Sequence, residues 1–195
     1  KLDEPTFEEL MPHFSEKTRY NIRLSARKGV TVHWSRSEED LKKFFELYEI
    51  TAVRDHIGHR PYEYFKRMLH AYENSDLLRI YIAEHEGEAL SAAICIHYGN
   101  KTWYIYGASS NNKRNLMPNY AMQAEMIKWG IENGSEIYDF GGVFILDKTN
   151  GLYKFKEGFC RREGATEFIG EFDQVYNPLL YTGFAKILPQ IQRLR

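Results

Sequence analysis

The chain has 195 residues, a formal net charge of −1, 43% hydrophobic residues and 15% aromatic residues. This composition suits a packed core in one domain or a domain and a half, and it argues against disorder and against a generic nucleic-acid coat. No apolar run reaches the ~18 residues of a membrane span. Cys95 and Cys160 suggest no disulfide framework, which predicts a reducing, cytoplasmic compartment. Because the sequence lacks an initiator methionine, we expect a fragment or a processed chain.

The first half of the chain predicts helices separated by one strand. Ser15 is an N-cap residue for a helix that Gly29 ends, and "VTVHW" follows as a strand. Ser35 or Ser37 caps the second helix, and Pro61 opens the third. The predicted ranges are 15–28, 30–34, 37–56 and 61–73.

The second half predicts a three-strand meander, then a strand–helix alternation. Strands at 77–85, 88–98 and 101–109 are joined by the tight turns "EGE" and "YGN". A helix (118–134), a short strand (136–140), a loop (141–150), a helix from 151, a strand (165–176) and a last helix (178–191) follow. The fold class is α/β, with a mixed, mainly antiparallel central sheet flanked by helices. This order resembles the GNAT-like (acyl-CoA N-acyltransferase-like) fold.

The junction where GNAT acetyltransferases hold the pyrophosphate of acetyl-CoA reads "YGASSNNKRNLMPNY". Such a turn binds anions through backbone N–H groups at a helix N-terminus, and it needs closely spaced glycines. No Gly-x-Gly occurs here. Lys113 and Arg114 could meet an anion only with their side chains. The sequence therefore predicts that acetyl-CoA is not the donor.

The segment "GLYKFKEGFC" places one of its two lysines on an apolar face. At about 100° per helical residue, Lys156 falls beside Phe155 and Phe159 and near Leu152, whereas Lys154 points to the far side. Lys156 is then either a boundary lysine whose stem packs on the phenylalanines or a cation held in a cleft.

Five stretches in chain order resemble the FemABX family of aminoacyl-tRNA-dependent peptidoglycan cross-bridge peptidyltransferases. They are "SEKTRYNIRLSARKGV", "DHIGHRPYEYF", "WYIYGASSNNKRNLMPNYAMQAEMIKWGIENG", "YDFGGV" and "GLYKFKEGF". The resemblance implies transfer of an amino acid from aminoacyl-tRNA to the stem peptide of UDP-MurNAc-pentapeptide or lipid II, without a cofactor. It implies that 1–172 is a second GNAT-like domain and that 173–195 is a tail packed on an absent first domain. Through lipid II, it also implies contact with the inner membrane face.

The resemblance assigns roles to particular residues. Lys156 would stabilise the oxyanion, Phe155 would position it, and Tyr106 would line the cleft. Arg60 and Tyr64, four apart on the third helix, would clamp the nucleotide-sugar precursor together with Tyr104. Tyr104 and Tyr106 are expected on one strand face, with Trp103 and Ile105 on the other.

Several further residues are candidates for phosphate contacts or for loop structure. An arginine stripe on the first helix (Arg19, Arg23, Arg27) would contact phosphates of tRNA or precursor, as would Lys113 and Arg114. Asp139 is expected to organise its loop by hydrogen bonding. His56 and His59 lack a third ligand, so no metal site is expected.

Three alternatives to the peptidyltransferase stay open at this level. The chain could be a non-catalytic half that binds precursor or tRNA, a CoA-dependent N-acyltransferase, or a lipid aminoacyltransferase. The missing glycine turn disfavours the CoA enzyme, and the Phe155-Lys156 pair favours the Fem-type enzyme over the lipid one.

Overall fold

A computed structural model describes residues 1–143, 145–170 and 172–193. The chain divides into two compact units, Lys1–Ala165 and Thr166–Arg195. The boundary predicted after residue 172 lies inside the second unit. Within the described residues, no helix combines the length and apolar character needed to cross a membrane.

The first unit is built on one five-stranded sheet in the order β1-β2-β3-β4-β5. The strands are β1 (Thr31–Ser35), β2 (Leu78–His85), β3 (Glu88–Tyr98), β4 (Lys101–Ser109) and β5 (Ile137–Asp139). Neighbours pair antiparallel, except β4 and β5, which are parallel. The mixed, mainly antiparallel sheet is therefore confirmed. Gly87 and Gly99 sit at the two hairpin turns with φ of 77° and 60°, a conformation that costs glycine little.

Helices cover both faces of this sheet. On one face, α3 (Glu38–Asp55) and α4 (Tyr62–Ala71) bury Phe44 and Phe65 against Ile80 and Ile94. On the other face, α1 (Phe7–Leu10), α2 (Glu16–Arg27), α5 (Pro118–Glu132) and α6 (Gly151–Glu157) share a second core with the strands. The short α1 and the 3₁₀ turn after it were not predicted.

The predicted N-caps of α2 and α3 are confirmed. The hydroxyl of Ser15 accepts the Thr18 amide of α2 at 3.1 Å, and that of Ser37 accepts the Asp40 amide of α3 at 3.1 Å. Of the two candidates for the second cap, Ser37 is the residue used. Each cap satisfies an amide that has no partner inside its helix.

A β-bulge in β4 overturns the predicted faces of the tyrosines. The register passes from Cys95↔Tyr104 to Ile94↔Tyr106, so Ile105 is an extra residue in β4. Because the two partners on β3 face opposite ways, Tyr104 points into the core under α5 and Tyr106 into the core under α3 and α4. The expectation that both tyrosines share one face was wrong.

The pairing of β4 with β5 is short. Only Lys101 to Trp103 of β4 pair with Ile137 to Asp139 of β5. Among the described residues, the rest of β4 has no strand on that side. The edge of β4 therefore lacks a strand neighbour from Tyr104 onward. At its end, Thr51 and Arg54 of α3 hydrogen-bond to the backbone of Ser109.

The second unit contains no strand among its described residues, so the strand predicted at 165–176 was wrong. Its apolar alternation has no ladder partner there, and a lone strand leaves its backbone groups unpaired. The helix predicted from 178 is present as α7 (Pro178–Thr182), a π-helical turn and α8 (Leu188–Arg193). Many of the unit's apolar side chains are exposed, namely Phe168, Phe172, Tyr176, Leu179, Leu180 and Phe184.

Candidate active site

Lys156 lies beside the point where β5 leaves β4. Its Nζ donates to the carbonyl oxygens of Gly142 at 2.8 Å and Gly141 at 3.4 Å. An ammonium has three N–H donors, so these two bonds leave one donor for another acceptor. Lys156 is half-buried, whereas Lys154 is exposed, which confirms the predicted division of the two lysines.

Aromatic packing fixes the helix that carries Lys156. The ring of Phe155 lies 5.0 Å from that of Tyr120, and Phe159 is buried 5.3 Å from Phe140. Leu152 is exposed, so the apolar stripe is narrower than predicted. Phe155 therefore anchors α6 to α5, as a positioning role requires.

Gly158 lets the end of α6 press against the start of α2. Its carbonyl oxygen accepts the Ser15 amide at 2.7 Å. A Cβ at this position would collide with the hydroxyl of Thr18 and lie 3.1 Å from that of Ser15. Only glycine allows this approach without displacement.

The loop that supplies the two carbonyls is held by Asp139. One oxygen of its carboxylate accepts the Gly141 amide at 2.8 Å, which confirms the expected loop role. The other oxygen pairs with Lys101 Nζ at 2.6 Å. Gly141 has φ of 70°, which favours glycine, and a Cβ there would lie 3.5 Å from the Tyr104 carbonyl oxygen.

Charges around Lys156 partly offset the effect of its burial. Burial lowers the pKa of Lys156 below the ordinary lysine value, while the charge of Asp139 acts in the opposite direction. Burial would raise the pKa of Asp139, but the hydrogen bonds from Lys101 and the Gly141 amide bring it below its usual value. The lowered pKa of Asp139 keeps its carboxylate ionised near neutral pH.

Tyr106, Tyr64 and Arg60 form a second group, on the α3–α4 side of the sheet. The hydroxyl of Tyr106 donates to that of Tyr64 at 3.1 Å, and the Arg60 guanidinium lies 5.4 Å from the centre of the Tyr64 ring. Burial raises the pKa of Tyr106 to about 12, and the Tyr64 hydrogen bond adds to this shift. Tyr106 is therefore a neutral hydrogen-bonding group near pH 7.

The predicted helical spacing of Arg60 and Tyr64 was wrong, although the two side chains do meet. Helix α4 begins at Tyr62 after the N-cap Pro61, so Arg60 belongs to the preceding loop. The backbone amide of Arg60 donates to the Tyr48 hydroxyl at 3.4 Å. The loop before α4, and not an i, i+4 helical pair, places the guanidinium on the ring.

Tyr104 is a core residue on the α5 side. Its ring lies over Gly107, where a Cβ would occupy the position of its hydroxyl. Burial raises the pKa of Tyr104 to about 12. Its backbone carbonyl reaches the Gly141 loop, whereas its side chain lies away from Tyr64.

The predicted phosphate contacts differ in how they are engaged. Arg19 donates to the carbonyl oxygens of Phe14 at 2.6 Å and Pro12 at 3.1 Å, so it ties α2 to the N-terminal segment. Arg23 and Arg27 are exposed. Lys113 pairs with Glu88 at 3.1 Å and Glu86 at 3.2 Å, which neutralises its charge, while Arg114 is exposed.

The sequence reasoning did not identify three contributors to this site. The carbonyl groups of Gly141 and Gly142 bind Lys156, and Lys101 fixes Asp139. The only signal in the sequence is the Gly-Gly pair directly after Asp139, which marks a loop that can approach another group closely.

Solved structures place this fold among the GNAT-like acyltransferases. FemX matches with a TM-score of 0.74 and 26% identity, over 81% of this chain and 56% of that one. An aminoglycoside acetyltransferase from an uncultured soil metagenomic sample matches with a TM-score of 0.52 and 15% identity, over 76% and 97% of the two chains. The second likeness shows the fold alone.

Sequence comparison assigns the family. The pattern of the FemAB family matches residues 1–89 and 77–188, and the chain belongs to this family. A UDP-N-acetylmuramoylpentapeptide-lysine N(6)-alanyltransferase of Weissella viridescens is 39% identical over 89% of this chain and 51% of its own. A lipid II:glycine glycyltransferase of Staphylococcus epidermidis is 29% identical over 97% and 61%. The chain thus spans between half and two thirds of the length of these relatives.

Proposed function

We propose that this chain forms part of an aminoacyltransferase that moves an amino acid from aminoacyl-tRNA to the stem peptide of a peptidoglycan precursor. The carrying observation is Lys156, a half-buried cation beside the split between β4 and β5 with one N–H donor left unused by the Gly141 and Gly142 carbonyls. The names of the alanyltransferase and the glycyltransferase state that these relatives act on precursors of this kind. This supports the same substrate class here.

The proposed reaction is the attack of a side-chain amine on the ester carbonyl of the charged tRNA. A C–N bond forms and the ester C–O bond breaks. The amine loses a proton, and the ribose oxygen of the departing tRNA gains one. Negative charge builds on the carbonyl oxygen after the C–N bond forms and before the C–O bond breaks. A fixed donor at that oxygen therefore lowers the barrier.

In this scheme the remaining Lys156 donor binds the developing oxyanion. The Gly141 and Gly142 carbonyls restrict the ammonium before the substrate arrives, so little reorganisation is needed during the reaction. Phe155 contributes through its packing on Tyr120. No general base is assigned among the described residues.

The precursor is proposed to lie across the edge of β4 that lacks a strand neighbour. Arg60 and Tyr64 would hold its phosphates on the α3–α4 side, with Tyr106 as their hydrogen-bonded support. Its stem peptide would reach Lys156 on the other side. Tyr104, being a core residue, would contribute its backbone and not its phenol.

Charged tRNA is proposed as the donor in place of acetyl-CoA. At the start of α5, Pro118 has no N–H and the Tyr120 amide donates to the Met117 carbonyl at 3.0 Å. Few amides are left to bind a pyrophosphate. The exposed Arg23, Arg27 and Arg114 are the proposed contacts to tRNA phosphates.

The exposed apolar side chains of residues 166–190 indicate that another protein surface covers them in the complete enzyme. We propose that a first domain of the kind implied by the Fem resemblance covers them. With lipid II as the acceptor, the enzyme would work at the inner face of the membrane. With UDP-MurNAc-pentapeptide, it would work in the cytoplasm.

A transfer assay tests the proposal. The native protein is incubated with tRNA charged with alanine or glycine and with UDP-MurNAc-pentapeptide, or with lipid II in detergent, and the precursor is weighed by mass spectrometry. A gain of one aminoacyl residue is the expected result. Unextended precursors in all four combinations, together with tight binding of acetyl-CoA in calorimetry, would point instead to a CoA-dependent acyltransferase.

A further inference from the structure

A chain of contacts leads from β4 to the ammonium of Lys156. Lys101 on β4 pairs with one carboxylate oxygen of Asp139 at 2.6 Å. The other oxygen accepts the Gly141 amide at 2.8 Å. The Gly141 and Gly142 carbonyls then accept from Lys156. Each of the three links is a direct polar contact that involves a charge, at both ends between Lys101 and Asp139 and at one end in the other two.

The position of the Gly141–Gly142 loop explains why this series of contacts is needed. Asp139 is the last residue of β5 that pairs with β4, through Trp103. Beyond it the backbone has no strand partner among the described residues, and it turns sharply at Gly141 with φ of 70°. A loop freed from its sheet keeps its carbonyls in one direction only if side chains fix it.

We infer that Lys101 and Asp139 are positioning residues for Lys156, which set the direction of its free N–H donor through the Gly141–Gly142 loop. This inference rests on the proposed function for its catalytic consequence. Neither residue is placed against the substrate. The carboxylate has both oxygens engaged, and the Lys101 ammonium also lies 5.0 Å from the Trp103 ring.

The test uses three variants of the native protein in the transfer assay. Asp139→Asn keeps an acceptor for the Gly141 amide but loses the pair with Lys101, and Lys101→Met loses the pair from the other side. Misplacement of a catalytic group by about 1 Å costs on the order of 100-fold, so we expect kcat to fall about 10- to 100-fold. The KM for the precursor should change by less than about 2-fold. Lys101→Arg preserves the pair and should recover most of kcat.

A second measurement does not depend on turnover. The groups that face Lys156 and influence its charge are Asp139, at the end of β5, and Cys160, beyond α6. In Asp139→Asn the supporting negative charge is gone, so Lys156 should be acylated faster by an amine-reactive reagent at pH 8. Peptide mass spectrometry reads this rate, with the exposed Lys154 as the internal reference.

The outcomes separate the two claims. Unchanged labelling of Lys156 in Asp139→Asn would overturn the positioning role, whatever the activity. Active variants with normal kcat and a raised KM would overturn it as well, since they would make Asp139 a substrate contact. Faster labelling of Lys156 in a protein without transfer activity would leave the positioning geometry supported and remove the proposed function.

Discussion

Tyr104 and Tyr106 lie on opposite faces of the sheet although only one residue separates them. The bulge at Ile105 makes Tyr104 a partner of Cys95 and Tyr106 a partner of Ile94. Tyr104 therefore packs in the core under α5, while the Tyr106 hydroxyl donates a hydrogen bond to Tyr64 of α4. One strand thus runs close to the loop near Lys156 with its backbone and supports the proposed precursor clamp with a side chain.

Gly107→Ala tests the position of Tyr104. The new Cβ would occupy the space of the Tyr104 phenol, so the ring must move out of the core. Overpacking of this kind costs about 1–3 kcal/mol of unfolding free energy, measured by urea denaturation. Gly58→Ala is the control, because a Cβ at Gly58 meets nothing within 4 Å. Equal stability of the two variants would place the Tyr104 ring elsewhere.

The arginine stripe on α2 is expected to separate into structural and RNA-binding members. Arg19→Ala removes the bonds to Phe14 and Pro12 and should cost about 1–3 kcal/mol of unfolding free energy. Arg23→Ala should leave stability within about 0.5 kcal/mol and weaken tRNA binding most at low salt.

Filter binding at several salt concentrations and urea denaturation measure the two effects. Arg19 and Arg23 variants with the same loss of tRNA affinity and equal stability would contradict the division.

Gly158→Ala is expected to weaken the site from a distance. A Cβ there collides with Thr18 and crowds Ser15, so α6 shifts and carries Lys156 with it. Both unfolding free energy and kcat should fall. In the double variant with Thr18→Ala, the main collision is removed and part of both losses should return. If the losses of the two single variants simply add in the double variant, the contact between α6 and α2 is not the cause of the Gly158→Ala effect.

The pH dependence of transfer follows from the lowered pKa of Lys156. The protonated form is the proposed active one, so activity is present below this pKa and is lost as pH rises through it. Because burial lowers the pKa of Lys156, kcat should be lost at a pH below the ordinary lysine pKa of about 10.4. Lys156→Arg stays charged, so any activity it retains should persist to higher pH. An alkaline limb at the same pH in both proteins would assign the titration to another group.

Local sequence signals were enough for most of the fold. The β3 and β4 strands begin and end where turn residues predict, and Ser15 and Ser37 cap their helices. The strand at 165–176 failed because alternation alone cannot supply a neighbouring strand. The four-residue α1 is too short to show a helical period.

The site was less accessible to sequence reasoning. Lys156 was identified because its position among phenylalanines is a local helical property. The bulge at Ile105 depends on cross-strand register, and the contact of Arg60 with Tyr64 depends on a loop path. The links from Lys101 to Asp139 and from Lys156 to the glycine carbonyls join residues that are distant in sequence, so no spacing rule reveals them.

The most direct test of the account is the single-turnover rate of transfer by Lys156→Met at saturating charged tRNA and precursor. Loss of one oxyanion donor costs about 100- to 1,000-fold in rate, and this is the loss we expect, with precursor affinity and unfolding free energy close to those of the unmodified protein. Lys154→Met, on the exposed side of the same helix, should keep the full rate. A Lys156→Met protein that transfers at the unmodified rate would contradict the assignment of Lys156 as the catalytic cation.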